Sequence, residues 1–245
     1  MIDASPVTLV AQWDRVADLR GAQLVRSLLA LAGDDGRACE SWTLGRCETK
    51  LASIYGALFG SVVEATVRCR ACEETLEFET TIGALFGASD AIGDIASESG
   101  VMRIAHEGYD VTCRPLQLRD LLAMPTAPAR ARTHLIGCAV VEARREGQVI
   151  LTEVLPPSLC AAIGDAIRLR DPHGETTIAI VCAACGSPND LPFDMSTFLW
   201  EALERHVSRI FADVHALARA YAWSEDAILA LPDARRRRYL TLLAS

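Results

Sequence analysis

Two cysteine pairs of identical spacing carry the most legible chemistry in this sequence: Cys69-x2-Cys72 in VRCRACEETLEF and Cys182-x2-Cys185 in IVCAACGSPNDLPF. Two thiolates separated by two residues at a tight turn can bind one face of a tetrahedral metal, and two such turns close a four-sulfur site. The same spacing serves thiol–disulfide exchange when the pair opens a helix whose N-terminus lowers the thiol pKa. It also occurs in ordinary buried thiols. Both pairs here lie between strand-like segments, which favours a closed, structural zinc site over the redox reading. Residues 73–181 separate the pairs, far more chain than a ribbon usually holds between its knuckles. Gly186 directly follows the second pair, where a positive φ is often needed, and Glu73 stands at the same place after the first.

The remaining candidates are weaker. Cys39, Cys47, Cys113, Cys138 and Cys160 have no partner at ligand spacing and read as buried thiols. The histidines His106, His134, His173, His206 and His215 form neither an H-E-x-x-H motif nor a pair one helical turn apart. There is no G-x-S-x-G, no phosphate-binding loop and no G-x-G-x-x-G. Asp120, Asp165, Asp171 and Asp213 read as residues that cap or solvate helices. No catalytic residue is assigned, and a non-enzymatic protein is expected. Arg235 to Arg238 form the one basic run, either a solvated helix face or a docking patch for an acidic partner.

The chain of 245 residues is long enough to bury a sizeable core without small-protein staples. Its nine cysteines are odd in number, and MIDASPVTL lacks the basic and apolar regions of an export signal, so reduced thiols in the cytoplasm are expected. Although 51% of residues are hydrophobic, the longest apolar runs, such as IAIVCAAC, fall far short of a membrane span of about 18 residues. A formal charge of −8 disfavours a general nucleic-acid binder, which needs clustered Lys and Arg. A zinc-ribbon nucleic-acid-binding regulator is the alternative function, with Arg68 and Arg70 its only basic candidates beside a knuckle. A metalloenzyme, the second alternative, would need an open coordination position.

The elements that must position the four thiols follow from periodicity. Apolar residues from Val7 to Leu31 recur at helical spacing, and a second helix is expected from Thr43 to Gly60, with Gly60 as its C-cap. VVEATVRC and TLEFETTI then form a hairpin with CRAC at its turn. ALFGASDAIGDIASESG reads as a short helix and a linker, and VMRIA and YDVTCRPL as a second hairpin through the turn at 106–108. Helices are expected over LQLRDLLAM, over roughly Pro128 to Arg145, and over Pro157 to Arg170. TTIAIVCAACGSPNDLPFDM repeats the strand, thiol pair and extended segment, and precedes a long amphipathic helix from about Ser196 to Tyr221. Ser224 is a good N-cap, Trp223 can staple against Ile228, and a further short helix follows Pro232.

Two stretches carry a family resemblance. Residues 43–79 and 171–240, with the two knuckles, the FLWE opening of the long helix, and VHALARAYAWSEDAIL with its RR-x-YL continuation, resemble the baseplate hub assembly chaperone-like proteins. That family belongs to contractile tailed phages and extracellular contractile injection systems and includes the hub chaperones of T-even phages. CRPLQLRDLLAM resembles it more loosely. The family's knuckles tend to read C-P-x-C-G, whereas here both prolines and the first glycine are replaced. The resemblance implies a non-enzymatic assembly chaperone or accessory component of a phage-like baseplate. Its partners would be hub or spike proteins, with no small-molecule substrate, nucleic acid or membrane. It also leaves open incorporation in the baseplate particle. Trp223, Arg235, Arg236 and Tyr239 are then the candidate partner-binding residues.

The expected fold is α+β and mainly helical. An N-terminal helical region (1–61) and C-terminal helices (195–245) surround a small discontinuous zinc ribbon (62–80 plus 176–194) whose metal ligands are Cys69, Cys72, Cys182 and Cys185. A mainly helical insertion with a short hairpin (81–175) lies between the knuckles.

Overall fold

Capping chemistry fixes where the first helices begin and end. In the computed structural model, which describes residues 3–87 and 100–243, Ser5 accepts the Thr8 N–H and opens α1 (Pro6–Val16), which α2 (Gly21–Leu29) follows. Gly33, at φ 80°, ends the 3₁₀ turn that continues α2, and a short α3 (Gly36–Cys39) comes next. The Thr43 hydroxyl caps α4 (Leu44–Phe59), and Gly60, at φ 94°, closes it as expected.

Strands β1 (Val62–Arg68) and β2 (Thr75–Thr81) form the first hairpin, in register from Val62 opposite Thr81 to Arg68 opposite Thr75. Helix α5 (Ile82–Phe86) follows, and the expected linker at 88–99 lies outside the described residues. Strands β3 (Met102–His106) and β4 (Tyr109–Cys113) turn through Glu107 and Gly108, whose φ values of 48° and 81° suit a two-residue hairpin turn. Helices α6 (Leu118–Leu122) and α7 (Pro128–Ala139) lead into β5 (Val140–Arg145) and β6 (Gln148–Val149).

This corrects the expectation of one helix from Pro128 to Arg145. The helix stops at Ala139, and Val140–Arg145 pairs with β4, giving a four-stranded antiparallel sheet in the order β3-β4-β5-β6. The β-branched Val140 and Val141 suit a pleated surface, and Glu146 and Gly147, at φ 51° and 80°, repeat the turn seen at Glu107 and Gly108. The insertion is therefore more than helices and a short hairpin. Helix α8 (Pro157–Arg170) packs on this sheet through Leu159 and Ile163, making a core of its own with Val111, Cys113, Val140 and Ala143.

The last third comprises hairpin β7 (Thr176–Val181) and β8 (Pro188–Phe193), α9 (Met195–Tyr221), α10 (Glu225–Leu229) and α11 (Asp233–Leu243). Asp194 caps the N-terminus of α9. The main core gathers Leu28 and Leu29 of α2, Leu51 and Ile54 of α4, and Leu199, Leu203 and Ile210 of α9. Each such side chain stabilises the fold by about 1.5–3 kcal/mol on full burial. Val63 and Phe193 reach this core from the bases of the two hairpins, and Phe86 from α5. The fold is thus mainly helical α+β.

A buried joint ties the insertion to the N-terminal helices. Asp171, just past α8, accepts the Gly45 N–H at 2.9 Å and the Thr43 hydroxyl at 3.1 Å, so it serves the free end of α4 from far along the chain. The backbones of 40–44 and 116–119 also exchange hydrogen bonds, among them Leu118 N–H to the Trp42 carbonyl at 3.0 Å.

Candidate metal centre

Each hairpin presents its cysteine pair at the turn. Cys69 donates its N–H to the Glu74 carbonyl at 2.9 Å, and its own carbonyl accepts from Glu73 N–H at 3.0 Å. Cys182 and its carbonyl make the same two bonds, to Ser187 at 3.0 Å and from Gly186 at 2.8 Å. The two knuckles are one turn built twice. Each needs a left-handed residue after its second cysteine: Gly186 has φ 73°, and Glu73 adopts φ 61° with a side chain present. That conformation costs a non-glycine residue about 1–2 kcal/mol. Glycine is therefore convenient at this place but not required.

The knuckles face one another. Cys69 Sγ lies 3.7 Å from Cys185 Sγ, Cys72 Sγ lies 3.7 Å from Cys182 Sγ, and all four sulfurs fall within 4.8 Å of each other. A tetrahedral ion with metal–sulfur bonds of about 2.3 Å has sulfur–sulfur edges of about 3.8 Å. The donor set thus fits a four-coordinate metal ion. Cys69 and Cys182 are buried with Leu76, Val67 and Ile180 around them, while Cys72 and Cys185 form the solvent-facing edge.

The thiols are electrostatically unequal. The N–H groups of Cys72 and Ala71 hold the Cys69 thiol down to about 6. At Cys72 the Glu74 N–H also pulls the pKa down, but the Cys185 sulfur and desolvation, followed by the Cys182 and Cys69 sulfurs, outweigh it and push the thiol up to about 12. Thiolates this close repel one another, and a metal ion binding such a set displaces their protons.

Asn189, not foreseen in the sequence, belongs to the site. It is 2% exposed, and its Nδ2 donates to the Ser187 carbonyl at 3.0 Å and points at Cys69 Sγ at 3.6 Å, while its Oδ1 accepts the Arg70 N–H at 2.9 Å. The available signal was period 2: Asn189, Leu191 and Phe193 share the inward face of β8, and an amide on an apolar face needs partners.

The expected partner-binding residues divide. Trp223 stacks on Tyr221, with ring centroids 4.9 Å apart and planes at 23°, and meets Tyr239 edge-on at 4.9 Å, so all three rings fasten α11 to the end of α9. Arg235 stays exposed, whereas Arg236 is only 3% exposed. Its Nε donates to Asp213 of α9 at 2.9 Å and its Nη2 to Asp233. Arg236 is therefore corrected to an internal ion-pair residue. The cause is helical periodicity, which turns one of four consecutive arginines inward against α9.

Arg68 and Arg70 are both exposed, but Arg68 shares its hairpin face with Glu64, Glu77 and Glu79, which is unlike a phosphate-binding surface. Cys138 Sγ lies 3.5 Å from His134 Nε2, a pairing missed in the sequence. The same nitrogen lies 3.0 Å from the Asp120 carbonyl, which can only accept, so its proton is committed there and it cannot serve as a base toward the thiol. Burial, with the Asp120 charge adding to it, pushes the Cys138 pKa up.

Among the described residues no helix is long and apolar enough to cross a membrane. No family model, curated protein or solved structure matches the chain.

Proposed function

We propose that Cys69, Cys72, Cys182 and Cys185 hold a structural zinc ion, and that the protein is a non-enzymatic assembly chaperone or accessory component of a contractile, phage-like baseplate. The observation that carries the zinc reading is the pair of 3.7 Å sulfur contacts between knuckles more than a hundred residues apart in sequence. An all-thiolate tetrahedral set suits zinc, which has no redox chemistry of its own and accepts four sulfurs in a closed site. In that role the ion clamps the two halves of the chain.

The baseplate reading rests on the sequence resemblance of 43–79 and 171–240. Two surfaces support a partner-binding role. The outward side of α11 carries exposed Arg235, Arg237 and Arg238 in a protein of net charge −8. A shallow groove of about 600 Å³ beside β5 and β6 is bordered by exposed Val141, Val149 and Leu151. Apolar surface left open in this way is a usual means of holding another protein.

Co-expression with hub and spike proteins of a contractile baseplate, followed by affinity purification, tests the role. A stoichiometric complex with a hub or spike protein is expected, and failure to associate with any of them would sink the proposal. Elemental analysis of protein purified without chelator tests the metal: one zinc per chain is expected, and less than half an equivalent would count against it.

A further inference from the structure

We infer that Asn189 is the positioning residue of the metal centre: a side chain from the second hairpin that shapes the first knuckle around its ion. The inference rests on the metal reading above and goes beyond the four ligands.

The knuckles match in backbone, so their surroundings can be compared position by position. Asn189 lies seven residues after Cys182, and the residue seven after Cys69 is Leu76. Both are buried, at 2% and 7% exposure, but one is an amide and the other an apolar side chain packed with Cys69 and Cys182. The polar contact therefore runs in one direction, from the glycine-bearing knuckle to the one with Glu73 in the left-handed turn. Asn189 Nδ2 approaches Cys69 Sγ, and its Oδ1 holds the Arg70 N–H, the first peptide inside the turn. Bonding the carbonyl of Ser187, in the turn just before its strand, fixes the amide so that it offers the donor to sulfur and the acceptor to Arg70.

Two consequences follow. A thiolate that accepts a hydrogen bond donates less charge to its metal, so Cys69 and its neighbours are electronically unequal ligands. The turn carrying Glu73 is also held in its ligating shape by a group outside it. Hydrogen bonds to metal ligands typically govern about 10–100-fold in metal affinity.

The test uses the full chain with Zn²⁺ and Co²⁺. In chelator competition, Asn189→Leu should bind zinc about 10–100-fold more weakly than the parent while keeping a four-thiolate cobalt spectrum. Its sulfur-to-cobalt charge-transfer band should move to longer wavelength, because Cys69 then donates more readily. Leu191→Ala, on the same strand, should lower stability without moving that band. In a Glu73→Gly background the loss from Asn189→Leu should shrink, since the turn then needs less holding. If Asn189→Leu does not fold, the near-isosteric Asn189→Asp carries the comparison, because it keeps the acceptor for Arg70 and loses the donor to sulfur. Unchanged affinity and band position in a variant whose parent is loaded would overturn the inference alone. A parent that takes up neither metal would overturn the metal reading and this inference with it.

Discussion

Asp171 Oδ2 accepts the backbone N–H of Gly45 at 2.9 Å, joining the end of α8 to the start of α4 across 126 residues of chain. The approach leaves no room for a side chain, since a Cβ on Gly45 would sit 2.2 Å from Asp171 Oδ1 and 2.9 Å from the Gly174 nitrogen. Gly45→Ala should therefore cost about 3 kcal/mol, by overpacking and by breaking a buried hydrogen bond. Gly164→Ala in α8 meets only the tip of Arg168 and should instead stabilise by about 1 kcal/mol. Urea denaturation of the two variants checks both signs, and equal effects would refute this account of the joint.

Metal removal should be felt globally. Closing the chain between the two knuckles restricts the unfolded state much as a crosslink over about 100 residues does, which is worth roughly 4–5 kcal/mol. Cys182→Ala or a strong chelator should lower the denaturation midpoint by a corresponding amount and expose hairpin β7-β8 to proteolysis. Identical midpoints with and without chelator would contradict the clamp.

Glu73→Gly should be stabilising. It relieves the strain of about 1–2 kcal/mol at φ 61°, less the extra freedom glycine gives the unfolded chain, for a net gain of about 0.5–1 kcal/mol. A gain of that size raises the melting temperature by about 1–4 °C in a chain of this length. The equivalent change in the other knuckle, Gly186→Ala, should lower it.

Glu48 gives a pH dependence with a definite sign. Burial pushes its pKa up to about 8, against the pull of the Met195 N–H, and the nearby Asp194 carboxylate adds to the rise. An unfolded glutamate titrates near 4.3, so this group's favourable contribution is complete below that pH and is lost as pH rises through about 8. Glu48→Gln should flatten that decline. Stability measured from pH 4 to 9 at saturating metal should show parent and variant diverging as pH rises, and parallel curves would exclude the assignment.

The four arginines of α11 should separate into two classes. Arg236→Ala removes a buried guanidinium and its bonds to Asp213 and Asp233, and should cost about 1–2 kcal/mol, because both carboxylates stay partly open to solvent. Charge reversal at exposed Arg235 and Arg238 should change stability by less than about 0.5 kcal/mol while weakening capture of the acidic partner proposed above. Thermal unfolding and affinity purification read the two effects separately.

How much of this was legible beforehand varied from element to element. The hairpins, the helix over Leu44–Phe59 and the cap at Ser224 announce themselves because alternation, helical periodicity and capping residues act within a few positions. The Glu-Gly turn was readable at Glu107 and Gly108 but was missed at Glu146 and Gly147, where charged, helix-tolerant residues follow a real helix. There the pairing with β4 decides, and that partner lies some thirty residues earlier. Arg236 shows the same limit on a surface, because the run RRRR does not say which arginine faces Asp213.

By itself, the sequence determined that two thiol pairs of identical spacing exist and that strands and helices flank them, since those patterns are set by neighbouring residues. Only the tertiary structure decided that Cys69 meets Cys185 and Cys72 meets Cys182, that Asn189 reaches across to Cys69, and that Asp171 closes on Gly45. These contacts join residues more than a hundred positions apart. Nothing local selects them, and packing of the whole core brings them together.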